Sequence, residues 1–206
     1  MTWANGDGAG LRVVNTEIGR LGMLICGENT NPLARFSLMA QGEEVHISTF
    51  PSVWPAHDPD VSGGYDISEA IKIRIRNHAF EGKLFNVVSG SYADEDMIRQ
   101  LAMGDGNIER ILRGSPQGLS CIVGPDGNII SEIVSGREGI AYAEIDISKC
   151  VAEKELHDVS GYYNRFDVFR LTVDRRKDRP AIFIDDEVAG DCVKSLRGLD
   201  RQQEEE

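Results

Sequence analysis

Gly19-Arg20-Leu21-Gly22-Met23-Leu24-Ile25-Cys26-Gly27-Glu28-Asn29-Thr30-Asn31-Pro32 is the stretch on which the fold turns. Leu21, Met23, Leu24 and Ile25 make Arg20–Cys26 nearly continuous in apolar character, the pattern of a strand buried on both faces. Gly27 to Pro32 breaks that pattern. Pro32 suits the first turn of a helix, with Leu33, Phe36, Leu38 or Met39, and Ala40 on its apolar side and Gly42 at its end. Val45–Thr49 then returns as a strand. This is a strand–helix–strand unit in a chain of α/β class, with Cys26 at the carboxyl end of the unit's first strand.

Leu11–Thr16 reads as a further strand joined through a turn at Glu17–Gly19. Residues 50–66 carry Pro51, Pro55, Pro59 and Gly63-Gly64, and a loop of that length in a compact domain suggests a functional or lid-like segment. Ser68–Lys83 predicts a helix with Ile71, Ile75, His78 and Ala79 on one face, followed by a buried strand at Leu84–Ser89. A short helix is expected around Asp96–Met103, then a glycine-rich connection. Cys121–Val123 and Asn128–Ile133 flank Pro125-Asp126-Gly127, a hairpin signal because Asp-Gly tolerates the positive φ of the turn. Gly139–Ile147 alternates as another strand. The division expected is a domain over 1–147 and a less regular extension over 148–206. That extension holds the aromatic Gly161–Phe169 segment, a basic patch at Arg175–Lys177 and the acidic tail Glu204–Glu206.

Composition narrows the function. The 206 residues suffice for one ordinary domain, and 41% hydrophobic with 27% charged residues is the balance of a soluble globular chain. Asp and Glu outnumber Lys and Arg by 34 to 22, giving a net charge of −12 that argues against nucleic acid or an anionic membrane as partner. No apolar run approaches the roughly 20 residues of a membrane span, and the first residues lack the basic and apolar regions of a secretory signal, so a cytoplasmic location is expected. Cys26, Cys121, Cys150 and Cys192 form no C-x-x-C pair or zinc-finger spacing, so reduced thiols and no metal are expected.

Cys26 stands apart through its position. A nucleophile at a strand-to-helix turn is anchored by the strand, projected by the turn, and set beside unpaired N–H groups of the next helix. An ordinary buried cysteine at a strand end fits the same topology. His46 in its strand and His78 on its helix face read as hydrogen-bonded structural histidines. Glu81 and Lys83 read as helix-end residues. Trp54 suits either a pocket lining or a capping aromatic, and the Tyr162–Phe169 cluster either a docking surface or core.

The run Gly19–Asn29, with Pro32-Leu33-Ala34-Arg35 and Ala40-Gln41-Gly42-Glu43-Glu44-Val45-His46-Ile47, resembles the catalytic-cysteine region of nitrilases in the carbon–nitrogen hydrolase superfamily. Gly6-Asp7-Gly8, His78-Ala79-Phe80-Glu81-Gly82-Lys83, Gly124-Pro125-Asp126-Gly127 and Gly161–Val168 extend the resemblance from about Trp3 to about Asp174. It implies an incomplete α-β-β-α sandwich and a cysteine hydrolase that turns a nitrile into a carboxylic acid and ammonia. The covalent intermediates would be a thioimidate and then a thioester, with no cofactor, a small nitrile or amide as substrate, and self-association into a homo-oligomer. Cys26 carries over as nucleophile. Glu28 matches the acid after the cysteine, with a loop-shaping role, and Gly27 stands where many nitrilases have tryptophan. The family's base glutamate and its lysine precede the cysteine, whereas the acids before Cys26 here are Asp7 and Glu17 and there is no lysine, so the chain resembles the C-terminal portion. An amidase of the same superfamily, or an inactive module that associates with nitrilase subunits, are the alternatives.

Overall fold

β1 (Val14–Thr16) and β2 (Gly19–Ile25) form an antiparallel hairpin in the computed structural model, which describes residues 6–53, 56, 58, 60–61 and 65–176. Gly19 closes the turn at φ +116°, a conformation that residues with a Cβ rarely adopt. A 3₁₀ turn over Cys26–Thr30 leads into α1 (Pro32–Met39). Asn31 caps α1, its Oδ1 accepting from Leu33 N at 3.0 Å and Ala34 N at 3.4 Å. β3 (Val45–Phe50) then pairs parallel with β2, Leu21 opposite Val45 and Ile25 opposite Thr49, which completes the expected strand–helix–strand unit.

α2 (Ile67–Gly82) starts at Asp66, whose side chain accepts from Glu69 N, and stops at Lys83 in the left-handed region with φ +51°. The predicted buried face is present: Ile71, Ile75, His78 and Ala79 are each 0% exposed. β4 (Phe85–Gly90) lies parallel to β3, and after α3 (Glu95–Ala102) and α4 (Gly106–Gly114), β5 (Leu119–Val123) returns antiparallel to β4. β6 (Val134–Ser135) pairs antiparallel with β5, giving the strand order β1-β2-β3-β4-β5-β6, and α5 (Ser148–Lys154) follows.

The register sorts the sheet into two faces. Gly22, His46, Asn86 and Val123 form one cross-strand row, and Leu24, Ser48, Val88 and Cys121 the next. This face meets the helices, and Met39, Ile71, Ile75 and Ala79 pack with Val88, Cys121 and Val123 in the main core. On the opposite face of β2, Met23 is 48% and Ile25 56% exposed, so β2 is not buried on both faces as expected. The result is an α/β half-sandwich, one mixed sheet with a helical layer on one side.

Three further expectations are corrected. The glycine-rich connection after α3 contains α4, because Asp105 accepts from Asn107 N and Ile108 N and so caps a helix that its glycines disguise. Asn128–Ile133 is no regular strand. Gly127 takes the positive φ expected (+79°), but Ser131 Oγ occupies Ile122 N, which interrupts the ladder beyond the Val123–Ile129 bridge. In the expected strand Gly139–Ile147, burial alternates over residues 141–147, but the segment finds no strand partner among the described residues.

Gly10–Asp174 form one compact unit; of the other, Met1–Ala9 with Arg175–Glu206, little is described beyond Asp7 Oδ1 accepting from Ala9 N at 3.0 Å. Tyr162, Tyr163, Phe166 and Phe169 are exposed rather than core. Trp54, Cys192, Lys177 and Glu204–Glu206 lie outside the described residues. No described helix is long and apolar enough to cross a membrane.

Candidate active site

Cys26 is the first residue after β2 and has φ +46°, in the left-handed region that costs a residue with a Cβ about 1–3 kcal/mol. The side chain is partly exposed and touches the main core cluster from its edge. Its place at the carboxyl end of a parallel strand is where α/β sheets present reactive groups. Among the described residues, no hydrogen bond reaches its thiol.

The turn that carries Cys26 is tied from several sides. Glu28 Oε2 accepts from Ile25 N at 2.8 Å, so this carboxylate folds back on the strand end. A Cβ on Gly27 would meet nothing within 4 Å, so the space beside Cys26 is open there. Asn29 is 1% exposed, and its Nδ2 donates to Leu24 O at 3.0 Å and to Cys26 O at 3.3 Å. Arg35 of α1 donates to Asn29 O at 2.9 Å and pairs with Glu81 of α2 at 3.2 Å, while Arg74 donates to Thr30 Oγ1 at 2.7 Å. Glu81 and Lys83 are thus packing residues, Lys83 Nζ lying 3.9 Å from the Phe80 ring centroid.

Behind the turn lies a buried polar group. Glu43, His46 and His78 are 1%, 0% and 0% exposed. Glu43 Oε1 is 2.6 Å from His46 Nδ1, and Glu43 Oε2 lies 3.2 Å from His78 Nε2 but out of line for a hydrogen bond. His46 Nε2 faces Asn29 Oδ1 at 3.0 Å. Ser48 Oγ sits 3.0 Å from the same oxygen and 2.9 Å from Asn86 Oδ1. Gly22 makes room for the carboxylate, since a Cβ there would fall 1.9 Å from Glu43 Oε1. Burial works to raise the Glu43 carboxyl, but the hydrogen bond with His46 and the close approach of His46 and His78 outweigh it and hold it below its ordinary 4.5. Burial drives the His78 imidazole below its ordinary 6.5, against the pull of Glu43.

Glu43, His46 and His78 offer one donor atom each within 4.8 Å, a metal-like set. Two ligands on a tetrahedral zinc at about 2.0–2.1 Å sit roughly 3.3 Å apart. The 2.6 Å between Glu43 and His46 is instead the length of a hydrogen bond, so these atoms are engaged with each other.

The other described cysteines lack this setting. Cys121 and Cys150 are buried, and burial pushes both thiols up to about 11. Sequence reasoning singled out Cys26, Glu28 and the two histidines but missed Asn29, Glu43 and Gly22. The available signal was that His46 and His78 both fall on predicted buried faces, which calls for a shared polar partner between them.

Residues 1–154 match the carbon–nitrogen hydrolase family. The chain is 35% identical over 176 residues to Nitrilase 3 from an unknown prokaryotic organism, covering 85% of this chain and 50% of that protein. It is 35% identical over 182 residues to a nitrilase of Paraburkholderia phymatum, covering 88% and 49%. An aliphatic nitrilase of Rhodococcus rhodochrous is 31% identical over 184 residues, covering 88% and 47%. The chain spans about half the length of these relatives. Among solved structures, the C. elegans NitFhit protein shares the fold with a TM-score of 0.60 at 19% identity, covering 87% of this chain and 36% of that one. A carbon–nitrogen hydrolase from Helicobacter pylori G27 does so with a TM-score of 0.51 at 21% identity, covering 71% and 47%.

Proposed function

The chain belongs to the carbon–nitrogen hydrolase family, and from that premise we propose that it is the C-terminal, cysteine-bearing portion of a nitrilase, with Cys26 as nucleophile. The observation that carries the reading is the left-handed turn at Cys26, which sets a partly exposed thiol at the carboxyl end of a parallel strand. The thiolate adds to the nitrile carbon, and protonation of the nitrogen gives a thioimidate. Water adds to that carbon, ammonia leaves, and a thioester remains. A second water releases the carboxylic acid and returns the thiol. Cys26 supplies the bond-forming sulfur. Glu28 shapes the turn through Ile25 N, and the open space at Gly27 lies on the substrate side. Trp54, which follows β3 in the sequence, is assigned to nitrile binding in this reading. Proton transfer and stabilisation of the tetrahedral intermediates fall to the glutamate and lysine that nitrilases carry before the cysteine.

A second reading, an inactive module that associates with nitrilase subunits, is favoured by one observation: Met23 and Ile25 stand exposed on the outer face of β2. Ammonia release from a nitrile and from its matching amide, by the chain and by Cys26→Ala, separates the readings. Release from the nitrile that disappears in Cys26→Ala supports the nitrilase, and preference for the amide points to an amidase. Release that survives the substitution contradicts the role of Cys26, and no release from either substrate favours the module.

A further inference from the structure

The buried polar group beneath the turn connects to Cys26 through a chain of bonds whose direction chemistry dictates. Asn29 places one end of its carboxamide against two carbonyl oxygens, those of Leu24 and Cys26, so that end must be the NH₂. Its oxygen therefore faces His46 Nε2, which must carry a proton to make the 3.0 Å contact. With Nε2 protonated, the 2.6 Å contact between His46 Nδ1 and Glu43 Oε1 holds one further proton, and the pair is neutral as a whole. Ser48 and Asn86 continue the network on the sheet, and Arg35 fixes the Asn29 backbone from α1.

Burying three ionisable side chains where apolar ones would pack is costly unless they do something an apolar core does not. We propose that Glu43 and His46 are positioning residues for Cys26. The proton they keep on His46 Nε2 orients the Asn29 carboxamide, whose Nδ2 ties the Leu24 and Cys26 carbonyls and holds Cys26 in its left-handed backbone. Without that tie Cys26 relaxes to negative φ and its thiol turns from the open side. The inference rests on the reading of Cys26 as the nucleophile and names what presents it. His78 from α2 faces Glu43, Arg35 from α1 acts on His78, and neither replaces the Nε2–Asn29 link.

The test is the alkylation rate of Cys26 by iodoacetamide across pH, read by peptide mass spectrometry, with Cys121 and Cys150 as buried comparators. Asn29→Asp keeps the shape and the acceptor but loses both donors. In Asn29→Asp and His46→Phe the rate falls roughly tenfold or more. Glu43→Leu falls likewise, and Glu43→Gln recovers most of the loss, because its amide N–H donates to Nδ1 and keeps the proton on Nε2. Variants that fold and alkylate Cys26 at the parental rate with an unchanged pH profile overturn the proposal. Nitrogen-15 NMR of the unsubstituted chain decides it even if a variant fails to fold: a protonated, slowly exchanging His46 Nε2 at neutral pH is required, and a bare Nε2 overturns it. Neither readout uses nitrile turnover. A chain that passes both tests yet forms no nitrile adduct keeps the network and loses the nucleophile reading.

Discussion

Cys26 sets a side chain with a Cβ on a backbone conformation suited to glycine. The strain at φ +46° arises from the Cβ of the residue at that position, so removing the Cβ relieves it. Cys26→Gly is expected to be more stable than Cys26→Ala by about 1 kcal/mol, read as a higher urea midpoint with the same slope, although both lack the thiol. Equal midpoints would show that the turn carries no strain. The position of Cys26 at the end of a strand was legible in the sequence, because Leu21–Ile25 is apolar and Gly27–Pro32 is not. Its backbone conformation was not legible. It depends on Asn29, which is held in turn by His46, seventeen residues further along, and no local pattern encodes that contact.

At the scale of elements, β2 and the Glu43 loop fit together because β2 has no side chain at Gly22. In Gly22→Ala the new Cβ meets a carboxylate that is buried and held by His46, so it has nowhere to move. The substitution is expected to cost about 1–3 kcal/mol, measurable by chemical denaturation, and a midpoint unchanged from the parent would refute the packing described. Elements whose signal is periodic were readable in advance, α2 most clearly, since Ile71, Ile75, His78 and Ala79 share one buried face. Elements that depend on a partner were not. Gly139–Ile147 has the alternation of a strand, but a ladder needs a neighbouring strand, and alternation cannot supply one. α4 was obscured for the opposite reason: Gly104, Gly106 and Gly114 suggest a loop, while Asp105 caps a helix between them.

For the molecule as a whole, the buried ionisable group makes folding sensitive to acid. His78 has a folded pKa below its ordinary 6.5, so between these values the unfolded chain binds the proton and the folded one does not. Stability from His78 is therefore complete above about pH 6.5 and is lost as pH falls toward the folded pKa. Glu43, held below its ordinary 4.5, adds a second loss at lower pH with the same sign. Thermal unfolding midpoints should drop between pH 7 and pH 5.5, and His78→Gln should remove much of that slope; the same slope in both proteins would contradict the assignment. In the proposed reaction Cys26 attacks a nitrile carbon. Its most direct test is to incubate the chain with a small nitrile near neutral pH, quench with acid and map the modified peptides by mass spectrometry. The expected result is a thioimidate or thioester mass on the peptide containing Cys26, absent in Cys26→Ala. An unmodified Cys26 at every time point, or an adduct confined to another cysteine, would rule out Cys26 as the nucleophile.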